Sequence, residues 1–275
     1  MTASPTVGAG RTNVLVRQFR LLGFGGTMAY RALFNWATPA MFVGTLIGAP
    51  LVQMLFFVYL GRQLGLADDR FYIIGNALLA ASVACVYGGT MAIANERQYG
   101  TLGALLLSPR SRTLLWVGRA LPYVANGVLA TAMNLGFGQA LFGLGITAGE
   151  LARIAPLILA ATISCSGLGL LLGALGLRLR DVFLLANVSF VLLLLLTGAN
   201  VSRSVLPGWM QAAGDVLPLT HAIAGTRLAV DGGGSGVLPS LAAETGVGIL
   251  YLLAAVALLH WFERGSRLRG TLDTL

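Results

Sequence analysis

Long apolar stretches alternate with short polar ones along this chain. Six of the stretches are long enough to cross a hydrocarbon core of roughly 30 Å as helices of about 20 residues. They are predicted near Trp36–Leu60, Phe71–Ala94, Ala120–Ile146, Ile154–Leu177, Val182–Val201 and Thr245–Phe262. Polar segments separate them at 61–70, 95–119, 147–153, 178–181 and 202–244. Residues 1–10 are small and polar and are expected to be disordered. From Thr12, Val14, Leu15, Phe19 and Leu22 share one helical face, with Arg11, Arg17 and Gln18 towards the other. That pattern predicts an amphipathic helix lying in the interface, jointed to the first span by Gly23, Gly25 and Gly26. No internal repeat is apparent. The whole chain, 1–275, reads as a single all-α membrane domain: tail and interface helix at 1–31, bundle at 32–262, tail at 263–275.

Composition agrees. Only 10% of residues are charged against about 25% in soluble domains, and 56% are hydrophobic. No cleavable signal sequence is apparent in the first 30 residues. With the N-terminus inside, 13 of 18 arginines fall in inner segments, and the outer ones are Arg62, Arg70, Arg153, Arg203 and Arg227. The positive-inside rule then predicts both termini in the cytoplasm and a multi-pass protein of the cell inner (plasma) membrane. Trp36, Trp116, Trp209 and Trp261 fall near span edges, as interface anchors do. The net charge of +8 is explained by topology, so no nucleic-acid partner is expected.

All 18 basic residues are arginine. A phosphate-binding GxxxxGK[ST] loop needs a lysine, so any ATP site driving this chain must lie on another polypeptide. No HExxH or supported GxSxG pattern suggests an enzyme. All ten acidic residues, Glu244 included, are read as lying in loops or at span ends. An ion-coupled carrier usually keeps an ionisable group within the membrane, so that class is disfavoured. Cys85 and Cys165 read as small buried hydrophobes, with no metal or disulfide. Gln53, Asn76, Asn126, Asn134, Gln139 and Asn187 are neutral polar residues within spans, able to line a path or hold helices together. Gly169 and Gly173 form a GxxxG pair, either for packing within the chain or for a subunit contact.

The segment 95–119 carries Glu96, Arg97, Arg110, Arg112 and Arg119 between two spans. Gly100 can end the second helix, and Thr101 can cap a helix of about two turns with Leu102, Leu105 and Leu106 on one face. Ser108-Pro109 can stop it and start the third span. The alternative is a plain connecting loop. The outer segment is punctuated by Pro207 and Pro218, with a flexible GGGSG at 232–236. His221 reads either as a gate residue or as a hydrogen-bonded interfacial one.

ERQYGTLGALLLSP, Glu96 to Pro109, resembles the signature of ABC-2 type permeases, roughly E-R-E-x-G-T-L-E-x-L-x-x-[ST]-P. Glu96, Arg97, Gly100, Thr101, Leu102, Leu105 and Pro109 match; Gln98 and Gly103 depart from it. The resemblance implies a six-span exporter subunit that pairs with a second permease, identical or not, and with two cytoplasmic ATPase subunits holding ATP and magnesium. It implies that 96–109, with Arg110 and Arg112, is a coupling helix seated on the ATPase. It also implies that short outer helices around Pro207, Trp209, Pro218 and His221 dip back to cap the exit. The expected cargo is a hydrophobic or amphiphilic, antibiotic-like small molecule, with a lipid-linked polysaccharide second. A passive channel or membrane scaffold is the alternative of another class.

Overall fold

The computed structural model of the chain describes residues 39–66, 68–98, 112–179 and 181–269, with only the backbone at 42, 95–98, 112–117, 234 and 263–269. The predicted interface helix, Trp36 and the last residues of the C-terminal tail lie outside the described residues. Within them the chain is helical, and no strand occurs.

Helix α1 runs through Pro39–Val43, a π-helical Gly44–Gly48 and Ala49–Leu64. It stops at Gly65, which takes the left-handed conformation (φ 61°) common at helix ends. Helix α2 runs through Asp69–Ser82, a second π-helical stretch at Val83–Tyr87, and Gly88–Gln98. Then follow α3 (Arg112–Phe142), α4 (Ala148–Gly176) and α5 (Val182–Leu196). Two short helices, α6 (Gly208–Asp215) and α7 (Thr220–Val230), precede the long α8 (Val237–Arg269). Four of these, in α1, α2, α4 and α8, are long and apolar enough to cross a membrane. Helices α3 and α5 take the places of the third and fifth predicted spans.

Several boundaries move from their predicted positions, each for a local reason. Helix α4 starts at Ala148, inside the segment 147–153 read as a polar connection. Thr147 and Glu150 form a reciprocal capping box there, each side chain bonding the other's backbone amide, and this extends the helix outward by about a turn and a half. Helix α5 ends at Leu196 rather than Val201, because Gly198 turns left-handed (φ 83°). At its start Asp181 accepts from Leu184 N at 3.1 Å, an N-cap that fits the tight inner turn from α4. Helix α8 begins at Val237 rather than Thr245, directly after a 3-10 turn at Gly234–Gly236. Glu244 is therefore inside a membrane-length helix, not in a loop or at a span end, and it is completely buried.

Helices α2 and α4 form the centre of the bundle: 83% and 78% of their apolar windows are buried, against 28% for α1 and 17% for α8. The core runs through Ile73, Leu78, Leu135, Ile154, Leu193 and Ile223, with a second cluster around Ile93, Leu170 and Phe262. Gly169 fixes the contact between the two central helices. A Cβ there would sit 2.6 Å from Cys85 O and 3.1 Å from Gly89 Cα. The Gly169–Gly173 pair thus packs within the chain, against Gly89, Thr90 and Ile93 of α2, and Thr90 Oγ1 donates across the contact to Gly169 O at 3.2 Å. At the outer ends, Arg62 of α1 forks onto Asp69 of α2 and lies 5.1 Å from the ring of Phe142 on α3.

Gly169→Ala should cost about 1–3 kcal/mol, since backbone rather than a flexible side chain blocks the new methyl. Gly136→Ala, on an exposed face of α3 with open space around it, should be neutral or slightly stabilising. Thermal unfolding in detergent checks the pair, and equal shifts would contradict this packing.

Candidate functional site

Three regions could carry function, and the helix ends place the first. Glu96 and Arg97 lie in the last described turn of α2, and Arg112 opens α3. Gly100, Thr101, Leu102, Leu105, Pro109 and Arg110 lie outside the described residues, as does the two-turn helix predicted there. Helices α2 and α3 pack along each other, so the charged connection leaves one end of the bundle. The α4–α5 turn lies at that same end. There Arg178 sits 5.0 Å from the rings of both Trp261 and Phe262, near the close of α8.

The second region is a cavity of about 470 Å³ bounded by α1, α2, α3 and α5. Both π-helical stretches border it, through Thr45, Leu46, Val83, Ala84 and Tyr87. A π-turn inserts a residue into the helical repeat and opens space beside it, and such turns concentrate at functional sites. The walls are mostly apolar, with Met41, Met91, Phe183 and Phe190 among them. Gln53, Tyr87, Tyr123 and Asn126 add polar groups, and none of the described lining residues is charged. Two of the polar groups are engaged: Gln53 Nε2 donates to Asn76 Oδ1 at 3.0 Å, and Tyr87 Oη to Asn187 Oδ1 at 2.6 Å. The Tyr123 ring lies flat on Gly88, where a Cβ would meet it at 2.1 Å.

The third region is the opposite end of the bundle, which the arginine count predicts to be the outer one. Pro207 is the N-cap of α6, and Trp209 is exposed on that helix. Pro218 is buried before α7, and His221 Nε2 lies 3.0 Å from Asp215 O. Thr220 Oγ1 donates to Gly214 O at 2.7 Å, which fixes the turn between α6 and α7. His221 is thus tied to the end of α6, and two further residues fasten α7 to the bundle. Glu244 accepts from Leu219 N and Ala222 N at the start of α7, and from Ser164 Oγ near the middle of α4. Arg227 donates to the carbonyls of Gly198 (2.9 Å), Ala199 (3.2 Å) and Phe71 (2.9 Å), with its guanidinium 3.6 Å from the Phe71 ring centroid. Asn76 Nδ2 donates to Asn200 Oδ1 at 2.7 Å and ties α2 to the same turn after α5. Sequence reasoning passed over Glu244 and Arg227 as loop charges. The signal that could have found Glu244 was its isolation: it is the only carboxylate in the 26 residues Val237–Phe262.

Comparison with known proteins meets this arrangement at the level of the family. Two curated relatives match over 155 residues at 23% identity, both called "Probable multidrug ABC transporter permease YbhR", from Escherichia coli strain K12 and from Escherichia coli O157:H7. The match takes in 56% of this chain and 42% of each relative, less than half of their length. The sequence profile of the ABC-2 type transporter family matches residues 26–230, from before α1 to the end of α7. An all-helical, multi-pass membrane bundle matched over well over half its length belongs to the ABC-2 type transporter family.

Proposed function

We propose that this chain is the membrane subunit of an ATP-driven exporter, worked by a separate cytoplasmic ATPase. The observation that carries the reading is the charged connection Glu96–Arg112, in a chain of the ABC-2 family. In this reading α1 to α5 and α8 are six spans, both termini are cytoplasmic, and a second permease chain completes the path. The segment from Glu96 through Gly100, Thr101, Leu102, Leu105 and Pro109 to Arg110 and Arg112 receives the ATPase. ATP and magnesium stay on that partner. Closure of two ATPase subunits is then transmitted through the ends of α2 and α3 into the bundle. The lack of any lysine supports the division of labour, since a phosphate-binding loop requires one.

The cavity favours a small, mostly apolar cargo over a polysaccharide. Its volume suits a drug-sized molecule, and its walls offer apolar side chains with a few polar groups. A sugar chain would need many hydrogen-bonding partners that these walls do not supply. The name of the Escherichia coli relatives, a probable multidrug permease, points the same way. Helix α2 joins the two regions, because the cavity-lining Tyr87, Gly88 and Met91 lie about one and a half to two and a half turns from Glu96 on one continuous helix.

Two outcomes are expected. Glu96→Ala with Arg97→Ala should leave insertion intact and lower cargo-stimulated ATPase activity of the assembled complex by about tenfold or more, a loss of roughly 1.4 kcal/mol of coupling. Normal stimulation in the double variant would sink the coupling assignment, and a permease that never assembles with an ATPase would favour the scaffold or channel alternative. Separately, Ala84→Trp should fill the cavity. It should weaken binding of Nile red, a neutral apolar dye, by about tenfold in fluorescence titrations of the purified chain. Unchanged binding would move the cargo site elsewhere.

A further inference from the structure

Helix α7 cannot cap itself. Its N-cap is Leu219 and its third residue is Ala222, so neither side chain offers an oxygen to the free amides of the first turn. Leu219 is also left-handed (φ 75°), the only described non-glycine residue with positive φ, a conformation that persists only where the surroundings hold it. Glu244 supplies what is missing. Its Oε1 accepts from Leu219 N at 2.9 Å and its Oε2 from Ala222 N at 3.1 Å. These are the two amides that a capping box satisfies, here bonded by one carboxylate from another helix. Ser164 Oγ of α4 adds a third donor. Three donors thus converge on one side chain that belongs to a different helix.

The same face of α7 is locked by packing. A Cβ at Gly225 would lie 2.7 Å from Ser240 Cβ on α8 and 3.1 Å from Leu157 Cδ2 on α4. Helix α7 packs most extensively on α8, then on α4, and less on α2. On its other side α7 is held by Arg227, through neutral carbonyls at the outer ends of α2 and of the turn after α5. Arg227 is only partly buried, so water can replace those carbonyls when the contact opens. Glu244 is fully buried, and parting it from its donors would leave a buried carboxyl group without partners.

We propose that Glu244 is the positioning residue of the outer closure. It keeps α7 bound to α4 and α8 as one body, so an exit opens between α7 and the outer ends of α2 and α5, where Arg227 lets go. The exit rests on the exporter reading above; the fastening does not.

Hydrogen exchange read by mass spectrometry, on the full chain in lipid nanodiscs, tests it without any ATPase. In the wild type the first turn of α7 should be protected to within about tenfold of the buried part of α8. Glu244→Gln keeps one acceptor oxygen and replaces the other with an amino group that cannot accept from a backbone amide. It should speed exchange in that turn by roughly 100-fold while α4 stays protected. Glu244→Asp, which keeps both acceptor oxygens on a shorter arm, should recover part of the protection. Arg227→Gln should leave the turn within about tenfold of wild type. Equal release by Arg227→Gln and Glu244→Gln would overturn the proposal, as would a wild-type turn that exchanges like an exposed loop. Should Glu244→Gln unfold the chain, seen as lost protection in α4, the wild-type and Arg227→Gln comparisons still decide. Failure here leaves the exporter reading standing, whereas loss of ATPase coupling would leave this fastening standing.

Discussion

Hydrocarbon offers no hydrogen bonds, so each amide and carbonyl of a membrane bundle must find its partner inside the protein. Continuous helices such as α2 and α4 meet that demand along their own length. A short helix that begins within the bundle does not, because its first amides point at nothing. Helix α7 is such a helix, and its start lies beside Ser164, near the middle of α4. One buried carboxylate, Glu244, makes that start possible. The Gly198–Asn200 turn after α5 poses the same demand in reverse, and Arg227 and Asn76 answer it with donors. The polar groups of the outer half thus do structural work that a soluble protein would leave to water.

Close packing governs the other half. Small residues let α2 and α4 approach until backbone meets backbone at Gly169 and Gly89. The π-helical stretch of α2 takes part in that contact through Cys85 O and Val86 O, and it also borders the cavity, as does the π-helical stretch of α1. Helix α2 is therefore packed tightly on α4 along one face, while another face borders the cavity with α1, α3 and α5.

The helices were legible because hydropathy over about 20 residues is a strong signal: a helix lies at each of the six predicted places, and four of them are long and apolar enough to cross a membrane. Their ends were less legible, since ends are set by single capping contacts. Thr147 and Glu150 do show their capping box in sequence, three residues apart, yet an average over hydropathy smooths it away. Gly198 marks the end of α5 only if its left-handed turn is known beforehand. Glu244 was misplaced because GGGSG before it suggested a flexible joint, while the chain re-enters a helix within a residue of it. Its partners Leu219 and Ala222 are apolar in sequence and bond through backbone, so no side-chain pattern announces them. Pro207, Trp209, Pro218 and His221 lie on or beside the two short helices α6 and α7, as their nearness in the chain suggests. The cavity was not legible at all, since four separate helices and two π-turns build it.

Sidedness carries the whole account, because it decides which end meets an ATPase and which end releases cargo. A membrane-impermeant maleimide applied to intact cells reads it directly. Ser204 is exposed in the 3-10 turn before α6, and Leu179 is exposed in the turn between α4 and α5. The native Cys85 and Cys165 are buried and should give little background. The account predicts labelling of Ser204→Cys in intact cells and of Leu179→Cys only after permeabilisation. Labelling of Leu179→Cys but not Ser204→Cys in intact cells would contradict it.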